Sequence, residues 1–310
     1  MGEFDFINGV KKLFESVKSI DFEGIGDDCA IFDMGEESLL FTTDMLQEDI
    51  HFIRKLSSPF DLGYKSLAVN LSDVAAMGGT PVASMLSLSL PKELGAEWAA
   101  EFMRGYHSLS EEFGVELIGG DTTSSKSVVT INVVAIGRVK SSLVKRRSSA
   151  RVGDVILVNG SLGESGDGLA SLLSGEDGVN IEQHMRPVPQ IREGEWLATQ
   201  RGVGAMMDIS DGVASDIRHI LTSSGVGAKI QLDKIPTSVD LTTALTAGED
   251  YKLLFTARAE SVAELSTQYQ AHFAKPLYPI GVITQGDSLV WCDENGENQD
   301  VDFMGYRHDC

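Results

Sequence analysis

Acidic residues recur along this chain in one kind of company, beside glycine, serine, threonine or asparagine. The segments are Gly26-Asp27-Asp28, Thr42-Thr43-Asp44, Asn70-Leu71-Ser72-Asp73, Gly119-Gly120-Asp121, Asp208-Ile209-Ser210-Asp211 and Gly248-Glu249-Asp250. A single carboxylate in such a place is ordinarily a turn or helix cap. A whole set in one chain is harder to explain as caps. Grouped carboxylates repel one another unless cations neutralise them, and all-oxygen ligation suits Mg²⁺ or Ca²⁺. The chemistry expected is a multi-metal site, and its natural cargo is nucleotide phosphate. Most of these segments follow apolar runs that read as strands, so the acids are expected where strands open into loops.

Other chemistry finds little support. The turn Gly160 to Gly168 is glycine-rich, but it lacks the Rossmann spacing and an identifiable ribose-binding acid. No Gly-Lys-Ser/Thr phosphate loop, kinase His-Arg-Asp triplet or Gly-x-Ser-x-Gly elbow occurs. The histidines, His51, His107, His184, His219, His272 and His308, show no metal-ligand spacing, and zinc is not expected. Of these His51 stands out, because it follows the Asp44 segment closely. At Asp208-Ile209-Ser210-Asp211-Gly212 a strand-to-helix turn is expected, with Ser210 as N-cap and the helix N-terminus facing phosphate or its metal.

The elements that must position these residues can be read from periodicity. Residues 4–20 read as an amphipathic helix with Phe6, Val10, Leu13, Phe14 and Val17 on one face. Leu39-Leu40-Phe41 is a short strand leading into Thr42. A second helix opens at Pro59, is apolar around much of its girth and closes at Gly78-Gly79. Leu86, Leu88 and Leu90 alternate with serines as a half-buried strand, Trp98 to Phe113 is a helix, and Val128 to Ile136 is a strand. The polar, basic stretch Arg138 to Arg151 marks a domain boundary, giving an amino-terminal domain over 1–140 and a carboxy-terminal α/β domain over 141–310. In the second half, Val155 to Val158, Ala205 to Met207, Leu253 to Phe255 and Ile280 to Ile283 read as strands. A helix from Ser210 ends at Gly225. The class is mixed α/β (α+β), without a convincing internal repeat.

With 310 residues, the chain is large for one core. Its net charge of −21 argues against nucleic acid and against anionic membrane surfaces. It does not exclude a nucleotide, because bound metals invert the local field. The longest apolar runs fall far short of a membrane span. The start, Met1-Gly2-Glu3-Phe4, lacks a secretory signature, so a cytoplasmic protein is expected. Three scattered cysteines agree: Cys29 reads as a small buried residue, and Cys310 is terminal.

Read in order, the segments resemble the thiamine-monophosphate kinase family, of the superfamily that includes aminoimidazole ribonucleotide synthetase and selenophosphate synthetase. The strings carrying the resemblance begin with Gly24-Ile25-Gly26-Asp27-Asp28-Cys29-Ala30, Thr42-Thr43-Asp44 with His51-Phe52, and Tyr64 to Gly79, which holds Asn70-Leu71-Ser72-Asp73-Val74-Ala75-Ala76-Met77-Gly78. They continue with Leu117 to Thr123, His184-Met185-Arg186-Pro187-Val188-Pro189, Asp208 to Gly212 and Gly248-Glu249-Asp250-Tyr251. Together they span nearly the whole chain. Two small departures are Thr42, where relatives often carry Ser, and Ala247, where a second Gly is common.

The resemblance implies a two-domain PurM-like fold whose amino-terminal sheet pairs across a homodimer. It implies ATP-dependent phosphorylation of thiamine monophosphate to thiamine diphosphate. Asp28, Thr42, Thr43, Asp44, Asp73, Asp121, Asp208 and Asp211 match Mg²⁺ ligands. Gly120, Asp121, Arg147 and Ser210 match positions that hold ATP, and His51, Glu249 and Tyr306 match positions around the thiamine moiety. A phosphate acceptor is already anionic, its second pKa being about 6, so no general base is expected. The alternatives are another ATP-dependent synthetase of the superfamily, differing at His51 and Glu249, or a Mg-nucleotide-binding regulator without catalysis.

Overall fold

The computed structural model describes residues 3–17, 21–300 and 303–305. The first helix, α1 (Glu3–Leu13), is shorter than its periodicity predicts and is followed by a 3-10 turn at Glu15–Val17; residues 18–20 lie outside the described residues. Its apolar side faces solvent, with Phe6 and Leu13 50% and 74% exposed. The buried helix expected from Pro59 is α2 (Pro59–Ala76). Ser58 caps it, its hydroxyl accepting the Asp61 N–H at 3.0 Å, and Pro59 occupies the first turn where its missing N–H costs nothing. Gly78, at φ 74, lets the chain leave. The next helix, α3 (Gly95–Phe113), crosses α2 at backbone contact: a Cβ at Gly63 would fall 1.9 Å from Phe102 O, and one at Gly105 1.8 Å from Phe60 O. Only glycine permits that approach.

Both helices cover one face of a six-stranded sheet. Its strands are β1 (Phe22–Glu23), β2 (Ala30–Asp33), β3 (Glu37–Gln47), β4 (Thr80–Pro91), β5 (Glu116–Ser125) and β6 (Thr130–Lys140), in the order β1-β2-β3-β6-β4-β5. All neighbours run antiparallel except β4 and β5. The other face is bare. Met45 and Met85 on it are 56% and 37% exposed, and the edge strand β5 is exposed over nearly its whole length.

A seven-stranded sheet forms the second half. It comprises β7 (Val155–Val158), β8 (Val203–Asp208), β9 (Gly227–Gln231), β10 (Leu253–Ala257), β11 (Tyr278–Thr284), β12 (Leu289–Cys292) and β13 (Asn298–Gln299), ordered β13-β12-β9-β11-β7-β10-β8. Its helices are α4 (Glu164–Ser174), α5 (Ile181–Met185), α6 (Ile191–Thr199), α7 (Val213–Ser224), α8 (Leu241–Thr246) and α9 (Val262–Phe273). Alternation along the strands divides the core in two. Ile156 and Val158 pack with Ile217 and Ile220 of α7 on one face. On the other, Leu157, Met206 and Phe255 join Leu67, Leu71 and Val74 of α2 in one continuous apolar cluster. Helix α2 therefore belongs to both halves.

The acids do not all sit where strands end. Asp44 lies inside β3, Asp121 inside β5, and Asp73 within α2. Threonine and serine suit a pleated strand, so β3 and β5 run on through the segments read as loops. Asp28 just before β2, Asp208 at the end of β8 and Asp250 just before β10 do lie at strand ends.

Candidate active site

Three aspartates meet where the two sheets approach. Asp28, Asp73 and Asp208 each place a carboxylate oxygen within 4.8 Å of the others. Hydroxyls brace the group: Thr42 Oγ1 donates to Asp73 Oδ2, and Ser72 Oγ donates to Asp208 Oδ2 at 2.5 Å. Asp44 N donates to Asn70 Oδ1 at 3.0 Å, which ties β3 to α2 beside the cluster. Arg147 enters from the second half; its Nη2 lies 2.7 Å from Asp28 Oδ1, and its backbone N–H donates to Asp27 Oδ1 at 2.7 Å.

Burial and mutual repulsion set the electrostatics. Burial, then Asp44, Asp208 and Asp28, push the Asp73 carboxyl well above the usual range. Burial and the nearby Asp28 push Asp208 up to about 8, and burial with Asp211 and Asp28 pushes Asp44 up to about 6. Acids this crowded hold protons only while no cation is present to take their place. Asp28 Oδ2 and Arg147 Nε are both buried without a hydrogen-bond partner.

The cluster opens into a cleft of about 480 Å³, lined at its polar end by Asp44, Asp73, Ser210, Asp211, His51 and Glu249. Its other walls are apolar, from Ile50 and Ile53 beyond β3 and from Leu169 and Leu173 of α4. Glu249 sits in a strained turn: Gly248, Glu249 and Tyr251 have φ of 72, 55 and 48. Such a conformation costs about 1–3 kcal/mol per non-glycine residue, and it persists only where the surroundings fix it. Here Glu249 N donates to Ser210 O at 2.7 Å and Tyr251 N to Ile209 O at 2.9 Å, strapping the turn to the Asp208–Asp211 segment.

Residues 26–139 match the family model described as AIR synthase related protein, N-terminal domain, and residues 151–292 match that of its C-terminal domain. Thiamine-monophosphate kinase of Salmonella typhimurium is 40% identical, the alignment covering 99% of this chain and 98% of the relative. The Escherichia coli enzyme of that name is 36% identical over the same shares. A solved structure, AaThiL complexed with AMPPCP and TMP, is 32% identical and superposes with a TM-score of 0.85, covering 99% of this chain and 97% of that one. The chain belongs to the thiamine-monophosphate kinase family. Its fold is the two-domain PurM-like one; at 18% identity and a TM-score of 0.74, the hydrogenase maturation protein HypE of Escherichia coli shares the fold alone.

Within this family member, the cluster and cleft bring together Asp28, Thr42, Asp44, Asp73, Arg147, Asp208, Ser210, Asp211, His51 and Glu249. Thr43 and Asp121 are elsewhere. Asp121 pairs with Ser87, Ser87 with Asn132, and Asn132 with Met45, a row on the sheet's bare face, opposite to the α2 side that carries Asp73. Thr43 shares that face, its Oγ1 accepting from Asn132 Nδ2 at 3.0 Å. Three strand spacings, roughly 14 Å, separate β5 from β3, and Gly120 lies on β5 with Asp121. Tyr306 lies outside the described residues.

Ser210 does not cap α7. That helix starts at Val213 after Gly212, whose φ of 98 breaks the turn, and Asp216 Oδ2 instead accepts the Asp211 N–H at 3.2 Å. Asp250 is a cap in its own right, accepting from Gly163 N at 2.7 Å at the start of α4. Sequence reasoning missed Lys65, Ser72 and Asp216 as members of the site and gave His184 no role. The one available signal was a charged residue inside a helix otherwise apolar enough to be buried.

Proposed function

We propose that this protein transfers the terminal phosphoryl group of ATP to the phosphate of thiamine monophosphate, giving thiamine diphosphate. The observation that carries the reading is the Asp28–Asp73–Asp208 cluster opening into a cleft that presents Glu249 beside apolar walls. Family membership and the nucleotide analogue and TMP bound to AaThiL support it.

The donor set suits Mg²⁺: carboxylate and hydroxyl oxygens, no cysteine or histidine in the cluster, and one buried carboxylate oxygen, Asp28 Oδ2, without a partner. Asp28, Thr42, Asp44, Asp73, Asp208 and Asp211 would hold the ions. Once bound, several Mg²⁺ ions would neutralise two phosphate groups and align them for in-line transfer. Arg147, held beside the cluster by Asp28, would turn a fixed positive charge toward the nucleotide phosphates, and Ser210 lines the polar end of the cleft. Glu249 and His51 face the thiamine ring system, with Tyr306 assigned to the same subsite. No carboxylate acts as a base, because the attacking phosphate oxygen is already anionic.

Homodimerisation is part of the reading, and the bare face of the first sheet with its exposed edge strand β5 supports it. Pairing there would place Thr43, Gly120 and Asp121, the remaining metal and nucleotide positions, at a surface shared by two copies. The two domains, 1–140 and 141–310, divide between the first sheet and the second. A cytoplasmic setting suits the free, buried Cys29 and Cys292.

The test is ADP release with Mg-ATP and thiamine monophosphate, thiamine or no acceptor, with products separated chromatographically. Thiamine diphosphate formed from the monophosphate alone is the expected result. Turnover with none of them would overturn the reading in favour of a sister ATP-dependent enzyme or a nucleotide-binding regulator.

A further inference from the structure

Lys65 is an anomaly in α2. It lies between Leu62 and Leu67 on a helix buried on nearly all sides, and it is itself only 3% exposed. A buried ammonium must be compensated by a carboxylate. Its partner comes from the other half of the molecule: Lys65 Nζ lies 3.0 Å from Glu249 Oε1. The second carboxylate oxygen is engaged as well, with His184 Nδ1 3.3 Å from Glu249 Oε2, and Ser165 Oγ lies 3.0 Å from that same ring nitrogen.

This arrangement fixes the carboxylate in charge and in orientation. Burial would raise the Glu249 carboxyl, but the Lys65 ammonium, through its charge and its hydrogen bond, holds the group below its ordinary value. Burial and Lys65 push His184 down to about 4, so its ring is neutral at pH 7 and can offer Glu249 a hydrogen bond only by carrying its proton on Nδ1. With one oxygen on each partner the carboxylate cannot swing away. Its exposed quarter, 26% of the side chain, faces the cleft. The strained backbone at Glu249, φ 55, is thereby held from its side chain as well as through its N–H.

We propose that Lys65 is a positioning residue for the ring-binding end of the cleft: from α2 it pins, together with His184, the carboxylate of Glu249 so that its free edge meets a cationic heteroaromatic ring. The proposal rests on the reading above that thiamine monophosphate is the substrate. Lys65 touches neither the aspartate cluster nor Arg147 through any contact described above, so its effect is confined to one substrate. The carboxylate still attracts a cationic ring, because its 26% exposed edge faces the cleft while the Lys65 ammonium is buried behind it, 4% exposed.

The test is calorimetric titration of wild type, Lys65→Met and Lys65→Gln with thiamine monophosphate, with thiamine, and with a non-hydrolysable ATP analogue plus Mg²⁺. Both variants should weaken the two thiamine compounds at least about tenfold while the nucleotide changes less than about twofold. The steady-state counterpart is a rise in KM for thiamine monophosphate without one for ATP. The double variant Lys65→Met/Glu249→Gln should bind thiamine no worse than Lys65→Met alone, since the two residues act as one unit. Unchanged thiamine affinity, or equal weakening of nucleotide and thiamine, overturns the positioning role. A wild type that binds the nucleotide but neither thiamine compound overturns the functional reading itself.

Discussion

Arg147 holds Asp28 with Nη2 at 2.7 Å from Oδ1, yet the Nε of the same guanidinium is buried without a partner. The residue is thus fixed by one carboxylate and left one donor short. A planar fork placed in this way suits a phosphate oxygen better than it suits Asp28 alone. Lys at this position would keep the charge and lose the fork. Arg147→Lys should raise KM for ATP about tenfold, with KM for thiamine monophosphate little changed. Steady-state kinetics with each substrate varied in turn decides it; a matched rise in both constants would remove the nucleotide assignment.

Asp73 is the member of the cluster buried deepest in repulsion. Its carboxyl is pushed well above the usual range by burial and by Asp44, Asp208 and Asp28, so without cations it is close in charge to an amide. Asp73→Asn should therefore melt at or above the wild-type temperature when divalent ions are absent. It should lose most of the Mg²⁺-dependent rise in Tm, and kcat should fall by a factor of about 1,000 or more. Thermal melts with and without Mg²⁺, alongside turnover, check both halves of the expectation.

Stability should depend on pH in a way that Mg²⁺ reverses. Asp208 titrates in the fold at about 8, burial and Asp28 being the main causes, against an ordinary value of 3.8. A raised acid binds its proton more tightly folded than unfolded, so stability falls as pH rises through this window. His184 and His219, both pushed down to about 4 chiefly by burial, act in the opposite sense, but only below their ordinary value of 6.5. Between pH 6.5 and 8 the cation-free protein should lose Tm. Added Mg²⁺ should raise Tm most at pH 8, where fewest protons need displacing. A Mg²⁺ gain independent of pH would contradict the assignment.

Ile118 on β5 is 52% exposed on a strand with little covering it. A charged side chain there would oppose strand-to-strand or face-to-face pairing of two copies and would disturb little within one. Ile118→Glu should convert a dimer to a monomer in sedimentation velocity with Tm shifted only slightly at low concentration. A variant that remains dimeric would place the contact elsewhere.

Much of this site was written plainly in the sequence. The Asn70-Leu71-Ser72-Asp73 string sits on a helix whose apolar residues surround it, so the placement of Asp73 inside the molecule could be read, although the bond from Ser72 to the distant Asp208 could not. Strand β5 could not. It is exposed on both faces, so Gly119, Gly120, Thr122, Thr123 and Ser124 show no alternation and look like a loop. The Ser210 cap failed for a local reason, since Gly212 adopts a φ of 98 and becomes the N-cap in its place, with the helix starting at Val213. Lys65 stood out only as a charge on a buried helix; its partner could not be read, because Glu249 lies far along the chain, in the turn before β10, and no local pattern encodes such a pairing.

Helix α2 places Leu67, Leu71 and Val74 in the same apolar cluster as Leu157, Met206 and Phe255 of the second sheet. Neither sheet can lose this helix without opening its own interior to water. Although the chain contains two sheets and two family domains, it should denature cooperatively, in a single calorimetric transition, and neither half expressed alone should reach a native fold.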